Sequence, residues 1–364
     1  MSRFVLEWLF VYWSYYWYQF KRSIDRFIIT PYFTPKKFAN ACMLFGQFLF
    51  FRNKKVKGYP LKLSMDPTNL CMLRCPLCPT GRLDPARPGT IMPFDHFKHT
   101  IDEMAPYLYE IDLNNWGEPF SNKYIYDMIK YAHGKNIRTS VNSNLNVPWT
   151  EEQVRVLIAN GLDILRASVD GIKQETYEQY RKAGKLEIVV NNLKLLKKIK
   201  TELNSKNPRV DWQYLVFKHN EHELPELSKF KEEIGADNLI IAPVRADLGK
   251  EIFLSDEQKV DSLKAYLPTD EKFSRYQYEE KKRKLRKKYC HFPWTVSVIN
   301  ASGSVSPCCG IYPEQADVGN AFKEGSMKAI WNNEKYQKSR EIIARKTVDN
   351  SLICQNCIYT GFID

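Results

Sequence analysis

Three cysteines have the residue type and spacing to do chemistry: Cys71, Cys75 and Cys78 in the stretch Cys71-Met72-Leu73-Arg74-Cys75-Pro76-Leu77-Cys78. Iron–sulfur clusters are held by cysteine thiolates. Three thiolates on one tight loop can hold three corners of a cubane [4Fe–4S] cluster, and the fourth iron stays open for a chelating co-substrate. The competing reading is zinc. A structural zinc site wants four ligands, usually in paired form, and no fourth ligand stands near this triplet. The chain has nine cysteines, odd in number and clustered, which argues against a disulfide framework. Reduced thiols and a low-potential cluster imply a reducing compartment, so a cytoplasmic location is expected.

The elements around the triplet must position it. Residues 61–65 alternate as a strand, so the cysteine loop follows the C-terminal end of that strand. In parallel α/β barrels, active sites form at that end. Further strands are read at 110–113, 138–142, 164–169, 210–217 and 239–243. Helical stretches at 93–104, 122–133, 150–160, 174–182, 188–203 and 224–234 lie between them. Six strands alternating with helices predict an α/β fold with a parallel sheet, a partial TIM-like barrel of six units rather than a closed one of eight.

The triplet resembles the signature of the radical S-adenosylmethionine (SAM) superfamily. That resemblance implies the same (β/α)6 barrel, with the amino and carboxylate groups of SAM chelating the open iron. One electron, from a donor such as flavodoxin or ferredoxin, cleaves SAM to a 5′-deoxyadenosyl radical that abstracts a substrate hydrogen. The family usually has an aromatic residue before the third cysteine; Leu77 stands there. Asn114-Asn115-Trp116-Gly117-Glu118-Pro119 resembles the GGEP motif that holds the SAM amino group, with Trp116 in place of the first glycine. Gly117, Glu118 and Pro119 are therefore the expected SAM contacts. Asn142-Ser143-Asn144 resembles the turn at the third strand end, with Asn142 as its candidate. Ser168-Val169-Asp170-Gly171 resembles the turn at the fourth, with Ser168 facing the ribose. Arg181 resembles the arginine that pairs with the SAM carboxylate, a task suited to two parallel hydrogen bonds from one guanidinium. Gln213, on the fifth strand, is placed in the barrel mouth or on a solvated face.

A second cysteine set begins at Cys290. Residues 294–300 alternate, 301–303 turn and 304–308 return, a hairpin ending on Cys308; Cys354 and Cys357 follow as CxxC. The spacing resembles the SPASM/twitch extension of radical SAM enzymes, a small α+β unit. Cys290, Cys308, Cys354 and Cys357 would fully ligate one auxiliary [4Fe–4S] cluster, in the manner of twitch-type dehydrogenases that oxidise a cyclitol alcohol. Four cysteines could instead hold zinc. Cys309, left over beside Cys308, is the candidate catalytic hydrogen donor, or a small buried residue. His219, Glu221 and His222 lack the spacing of a metal motif and read as a solvated loop.

Residues 1–55 are expected to form an amphipathic aromatic helical segment, 56–245 the barrel, 246–289 a basic bridge and 290–364 the auxiliary domain. Trp and Tyr near Lys21, Arg22, Lys36 and Lys37 suit a membrane–water interface, and neither apolar run is long enough to span one. The alternative is packing on the barrel or on a second subunit. The net charge of +12 fits an anionic surface or substrate; no nucleic-acid motif is visible. The basic run at 281–288 reads as a solvated helix face that could also meet anionic lipid. The expected reaction is hydrogen abstraction from a carbohydrate, cyclitol or lipid-linked head group, leading to oxidation or epimerisation, by an enzyme peripheral on the inner face of the membrane. A peptide- or protein-modifying radical SAM enzyme is the alternative, and a non-catalytic, membrane-docking iron–sulfur protein a third reading.

Overall fold

Apolar residues recurring at every second position in some segments, and at three- and four-residue spacing in others, drive the chain into alternating strands and helices. The computed structural model describes residues 30–245, 254–284, 290–346 and 354–359. The barrel unit runs β1 (Lys62–Met65), α2 (Phe94–Met104), β2 (Glu110–Asp112), α3 (Ile125–Gly134), β3 (Arg138–Ser143), α4 (Glu151–Ala159), β4 (Ile164–Ser168), α5 (Gln174–Tyr180), α6 (Leu186–Glu202), β5 (Arg209–Val216), α7 (Leu227–Ile234) and β6 (Asn238–Pro243). A helix α1 (Pro35–Gly46) precedes it. Local chemistry sets the helix ends. Thr150 and Gln153 form a reciprocal capping box on α4, and Gly235 closes α7 in the left-handed region at φ 71°. All six strands pair in parallel and in chain order, as the alternation predicts.

The two faces of the sheet differ. Leu63, Ile111, Val141, Leu165, Trp212 and Tyr214 are buried outward, against apolar helix faces such as Phe97, Ile101, Ile129 and Leu157. The inner face is polar. Pairing register carries Ser64 to Asp112, Asn142 to Arg166, Arg166 to Asp211, and Ser168 to Gln213. Lys62 Nζ pairs with Glu110 and Asp112 at 2.6 and 2.5 Å. Burial of these charges is tolerable because they are paired and hydrogen-bonded.

The C-terminal hairpin does not stand apart. After α9 (Phe292–Thr295), β9 (Val296–Ile299) pairs in parallel with β1, Lys62 opposite Val296 and Met65 opposite Ile299. Then β10 (Ser304–Ser306) and β11 (Gly319–Asn320) add antiparallel strands, giving one nine-stranded sheet in the order β11-β10-β9-β1-β2-β3-β4-β5-β6. One edge of the partial barrel is thereby covered, and β6 remains the other edge. Helices α10 (Met327–Trp331) and α11 (Glu334–Arg345) clasp the loop leading into β1: Arg340 donates to Lys54 O at 2.9 Å, and Trp331 Nε1 to Gly58 O at 2.8 Å. A short helix α12 (Cys354–Tyr359) carries the last CxxC.

Residues 1–29, with most of the aromatic segment, lie outside the described residues. From Tyr32 onward the chain packs on the barrel. Tyr32 donates to Asp163, the Asn40 side chain exchanges two 2.8 Å bonds with the Tyr59 backbone, and Ala41 and Leu44 enter the core. Leu49, Phe50 and Phe51 stay exposed at the end of this segment. Among the described residues no helix is long and apolar enough to cross a membrane.

The basic run corrects the sequence reading. Its described part is no helix: Lys282–Arg283 is a strand, β8, paired antiparallel with β7 (Tyr276–Gln277). Lys281 bonds Asp261 and Glu257, and Lys284 lies by Glu271. These acids come from α8 (Asp256–Leu263) and the following turn, and the pairs are surface-exposed; what turns the run inward is Arg283, buried opposite the buried Tyr276. Residues 285–288 lie outside the described set.

Candidate active site

The loop after β1 leaves the sheet at its C-terminal end and returns through residues 88–92. Asn69 ties its ends together, donating to Pro88 O at 2.8 Å and accepting from Thr90 N at 2.6 Å. Cys71, Cys75 and Cys78 all line one cavity of about 710 Å³ at the barrel mouth. Cys71 Sγ accepts from Leu73 N at 3.4 Å and from Asn144 Nδ2 at 3.5 Å. Burial pushes the Cys71 thiol up to about 12 and Cys75 to about 11, where the Arg181 charge pulls the other way. Such thiols keep their protons until a metal centre displaces them. A Cβ on Gly81 would meet Cys75 N and O at 2.6 Å, so the loop closes tightly beneath the sulfurs. Three thiols facing one cavity fit a three-cysteine cubane.

Every expected SAM contact except Pro119 lines the same cavity: Gly117, Glu118, Asn142, Ser168, Arg181 and Gln213. Gln213 is thereby placed in the barrel mouth. Pro119 is buried just behind, opening a single 3-10 turn. Gly117 sits where only glycine fits, since a Cβ there would lie 1.9 Å from Thr68 O. The Glu118 carboxylate accepts from Ser143 Oγ at 2.7 Å, Asn144 N at 2.8 Å and Phe120 N at 3.1 Å. It thus ties the β2 loop to the β3 turn, and Asn144 in turn reaches Cys71. Burial raises the Glu118 carboxyl, and these donors and Arg181 oppose the rise. Ser168 Oγ donates to Asn142 Oδ1 at 2.8 Å across β3 and β4.

Arg181 follows α5 immediately and is aimed by Asp170: its Nε donates to Asp170 Oδ2 at 2.7 Å. Asp170, fully buried, also accepts from Leu215 N at 2.7 Å. Sequence reasoning quoted Asp170 within a turn motif and missed this role; the signal was an acid eleven residues before the arginine. It also missed Asp66. Burial lifts that carboxyl to about 7 while it accepts from the backbone of Trp116, Gly117 and Asn115.

The second cysteine set gathers beside the hairpin. Burial raises Cys308, and Cys309, Cys357 and Cys354 raise it further; Cys354 is raised by burial, then by Cys357 and Cys290. Cys308 and Cys354 thus lie within electrostatic reach of Cys357 and of each other, and Cys354 within reach of Cys290. Cys309, next to Cys308 and acting on it, is exposed and also lines the main cavity. His219 stacks on Phe217 with ring centroids 5.1 Å apart.

With this geometry in place, known proteins agree. A model of the radical SAM superfamily matches residues 65–230, and one of SPASM, an iron–sulfur cluster-binding domain, matches 290–358. The tungsten-containing aldehyde ferredoxin oxidoreductase cofactor-modifying protein of Pyrococcus furiosus is 23% identical over 298 residues, 75% of this chain and 81% of the relative. The PqqA peptide cyclase of Bradyrhizobium diazoefficiens is 24% identical over 301 residues, 76% and 74% of the two chains. The crystal structure of Streptococcus suis SuiB bound to precursor peptide SuiA superposes with a TM-score of 0.59 at 13% identity, covering 83% of this chain and 71% of that one. These names do not support the expected carbohydrate, cyclitol or lipid-linked substrate. The chain belongs to the radical SAM superfamily, carries a C-terminal SPASM domain, and works with SAM and two [4Fe–4S] clusters.

Proposed function

We propose that this enzyme modifies a peptide or protein, abstracting a hydrogen from a residue held in the main cavity. The observation that carries the reading is the edge of β6, beside which no further strand lies among the described residues; only at its end does Pro243 O accept from Arg275 Nε, at 3.3 Å. Ile240 and Ile241 on it are exposed, and its end, Ala242 and Pro243, continues with Val244 and Arg245 into the cavity wall. An edge strand offers unpaired backbone groups to an extended chain, and a peptide lying there would lead into the site. A peptide cyclase among the relatives, and a structural neighbour holding a precursor peptide, support the same class.

In this reading Cys71, Cys75 and Cys78 hold the cluster that chelates SAM. The bound pair supplies reductive cleavage of SAM and a hydrogen-abstracting radical. The protein's own part is placement. Gly117, Glu118 and Pro119 shape the wall for the SAM amino group. Asn142, Ser168 and Gln213 present polar atoms along the inner face of the sheet. Arg181, aimed by Asp170, faces the SAM carboxylate. Cys290, Cys308, Cys354 and Cys357 hold the auxiliary cluster with no iron left open, which suits electron transfer more than substrate binding. Cys309 is the hydrogen donor on the cavity wall if the outcome is epimerisation; oxidation would not need it.

Isotope transfer tests the substrate class. Reduced enzyme and SAM are mixed with a perdeuterated protein extract of the cell that makes the enzyme, and separately with its perdeuterated sugar and lipid extracts. Deuterium should enter 5′-deoxyadenosine from the protein extract alone. Label arriving only from sugars or lipids would overturn the reading. In the Ile240→Lys, Ile241→Lys double variant the transfer rate at limiting substrate should fall about tenfold, a cost of about 1.4 kcal/mol in binding, with iron content and SAM affinity unchanged. Arg181→Ala should weaken SAM binding by roughly 1.5–3 kcal/mol, the cost of a lost hydrogen bond to a charged group. Its iron content should match wild type; unchanged SAM affinity would remove Arg181 from the site.

A further inference from the structure

The residue that departs from the GGEP pattern is explained by what it touches. Trp116 is buried and meets the ring of Tyr312 edge-on, centroids 5.0 Å apart and planes at 88°. Its indole N–H has no acceptor among the described residues, so the ring contact holds it there. Its neighbour Asn115 donates to Asn300 Oδ1 at 2.9 Å, at the end of β9. Tyr312 belongs to the segment that follows Cys308 and Cys309. Arg87, nine-tenths and more buried on the return of the cluster loop, grips that segment. It donates to Tyr312 O at 2.7 Å, Ser304 Oγ at 2.8 Å and Asp317 Oδ2 at 2.9 Å. Two backbone-level contacts add to it: Glu314 N donates to Ala86 O at 3.0 Å, and Tyr312 OH to Asp84 O at 3.1 Å. Asn300 and Ser306 complete the inner side through Asp317.

We propose that Trp116, Asn115 and Arg87 latch the SAM-binding wall to the segment beyond Cys308, so that SAM affinity depends on the auxiliary cluster being in place. They are positioning residues. Cys308 fixes one end of the 308–317 segment and Asp317, held by Arg87, fixes the other. Tyr312 between them is the surface on which the 115–117 turn rests. Loss of the auxiliary cluster frees the Cys308 end, and the turn that carries Gly117 loses its backing. A family-typical glycine at 116 would have no ring to offer Tyr312 and would break this link. The inference rests on the reading that residues 114–119 hold SAM.

A double-mutant cycle tests it, using the full chain reconstituted with iron and sulfide. SAM is titrated against the reduced protein, and the change in the electron paramagnetic resonance signal of the SAM-binding cluster reports affinity. Trp116→Gly should weaken SAM binding about tenfold, and the Cys354→Ala, Cys357→Ala variant, lacking the auxiliary cluster, should do the same. The combined protein should be no weaker than either, because both remove one link. Trp116→Phe, which keeps a ring for Tyr312, should bind SAM nearly as wild type does. In the reconstituted protein without SAM, Trp116→Gly should also speed amide hydrogen exchange at residues 114–118, and in the Cys354→Ala, Cys357→Ala background it should add nothing. If Trp116→Gly does not fold, Asn115→Ala takes its place in the cycle. Losses that multiply to about a hundredfold, or no loss on removing the auxiliary cluster, would overturn the latch. Gly117→Ala separates the two readings: if it leaves SAM affinity intact, the wall does not hold SAM; if it abolishes binding while the cycle multiplies, only the latch falls.

Discussion

Replacing Cys71, Cys75 and Cys78 together with alanine is expected to cut bound iron from roughly eight to roughly four atoms per chain, one cubane in place of two, and to abolish SAM cleavage. The three sulfurs line the same cavity, and no other cysteine of the described chain except Cys309 lines it. The remaining iron should belong to Cys290, Cys308, Cys354 and Cys357, which sit on α12 and beside the hairpin. Replacing those four instead should leave the SAM-binding cluster loaded. Iron and sulfide analysis gives the stoichiometry, and release of 5′-deoxyadenosine after reduction gives the activity. Cleavage surviving in the triple variant, or one tightly held zinc in the wild type, would remove the triplet from the chemistry. Folding should survive, because the loop's closure rests on Asn69, Thr90 and Gly81, not on the sulfurs.

The barrel was legible because its signals are local. Each strand alternates, each helix repeats at its own period, and the observed bounds lie within a few residues of the expected ones. The cysteine triplet was legible because its spacing alone carries the ligand geometry. Contacts made across long stretches of sequence were not. Nothing local in Val296–Ile299 says that its partner is Lys62–Met65, and so the joining of the hairpin to the barrel edge was invisible. Nothing in the sequence singles out Arg87, and only the fold shows it buried against Asp317. Gln213 could be read either way because a polar residue on a strand faces solvent or a polar barrel interior with the same alternation. The basic run at 281–284 was misread for a related reason. Charge suggested a solvated helix, but Arg283 turns inward and is buried opposite Tyr276 in a two-residue strand pairing, while Lys281 and Lys284 make exposed pairs with Asp261, Glu257 and Glu271.

Substrate class was the least legible property. The aromatic N-terminus drew the expectation toward membranes and lipid head groups; its residues 1–29 lie outside the described set, and the part from Tyr32 onward packs on the barrel through Tyr32, Asn40 and Leu44. That β6 is the last strand of the sheet among the described residues is a feature of topology, visible only once the strand order is known. The proposed peptide substrate rests on that edge: among the described residues Ile240 and Ile241 are exposed on it, and main-chain groups are what an edge presents to an extended chain.

Asp170→Ala is expected to be the most damaging single change outside the cysteines. Asp170 is fully buried and its two oxygens do different work: Oδ2 holds Arg181 at 2.7 Å, and Oδ1 accepts from Leu215 N at 2.7 Å on β5. The alanine variant strands the Arg181 guanidinium beside Cys75 with no counter-charge. Removing one partner of a buried ion pair typically costs about 3–5 kcal/mol, and Arg181, partly open to the cavity, should bring the loss to the lower end, about 3 kcal/mol. A free Leu215 N–H would add a smaller loss of about 1 kcal/mol or more. Chemical denaturation of the iron-free protein should show this destabilisation. SAM affinity of the reconstituted variant should fall too, but by no more than in Arg181→Ala, since the arginine is still present but no longer aimed. The double variant Asp170→Ala, Arg181→Ala should recover part of the stability, because the unpaired charge is gone, while SAM binding stays weak. Asp170→Asn, which keeps an acceptor for Leu215 but drops the charge, should lie between wild type and alanine in stability. Should Asp170→Ala bind SAM as wild type does, Arg181 does not depend on Asp170 for its aim, and its place in the site would have to come from Tyr180 and the α5 end alone.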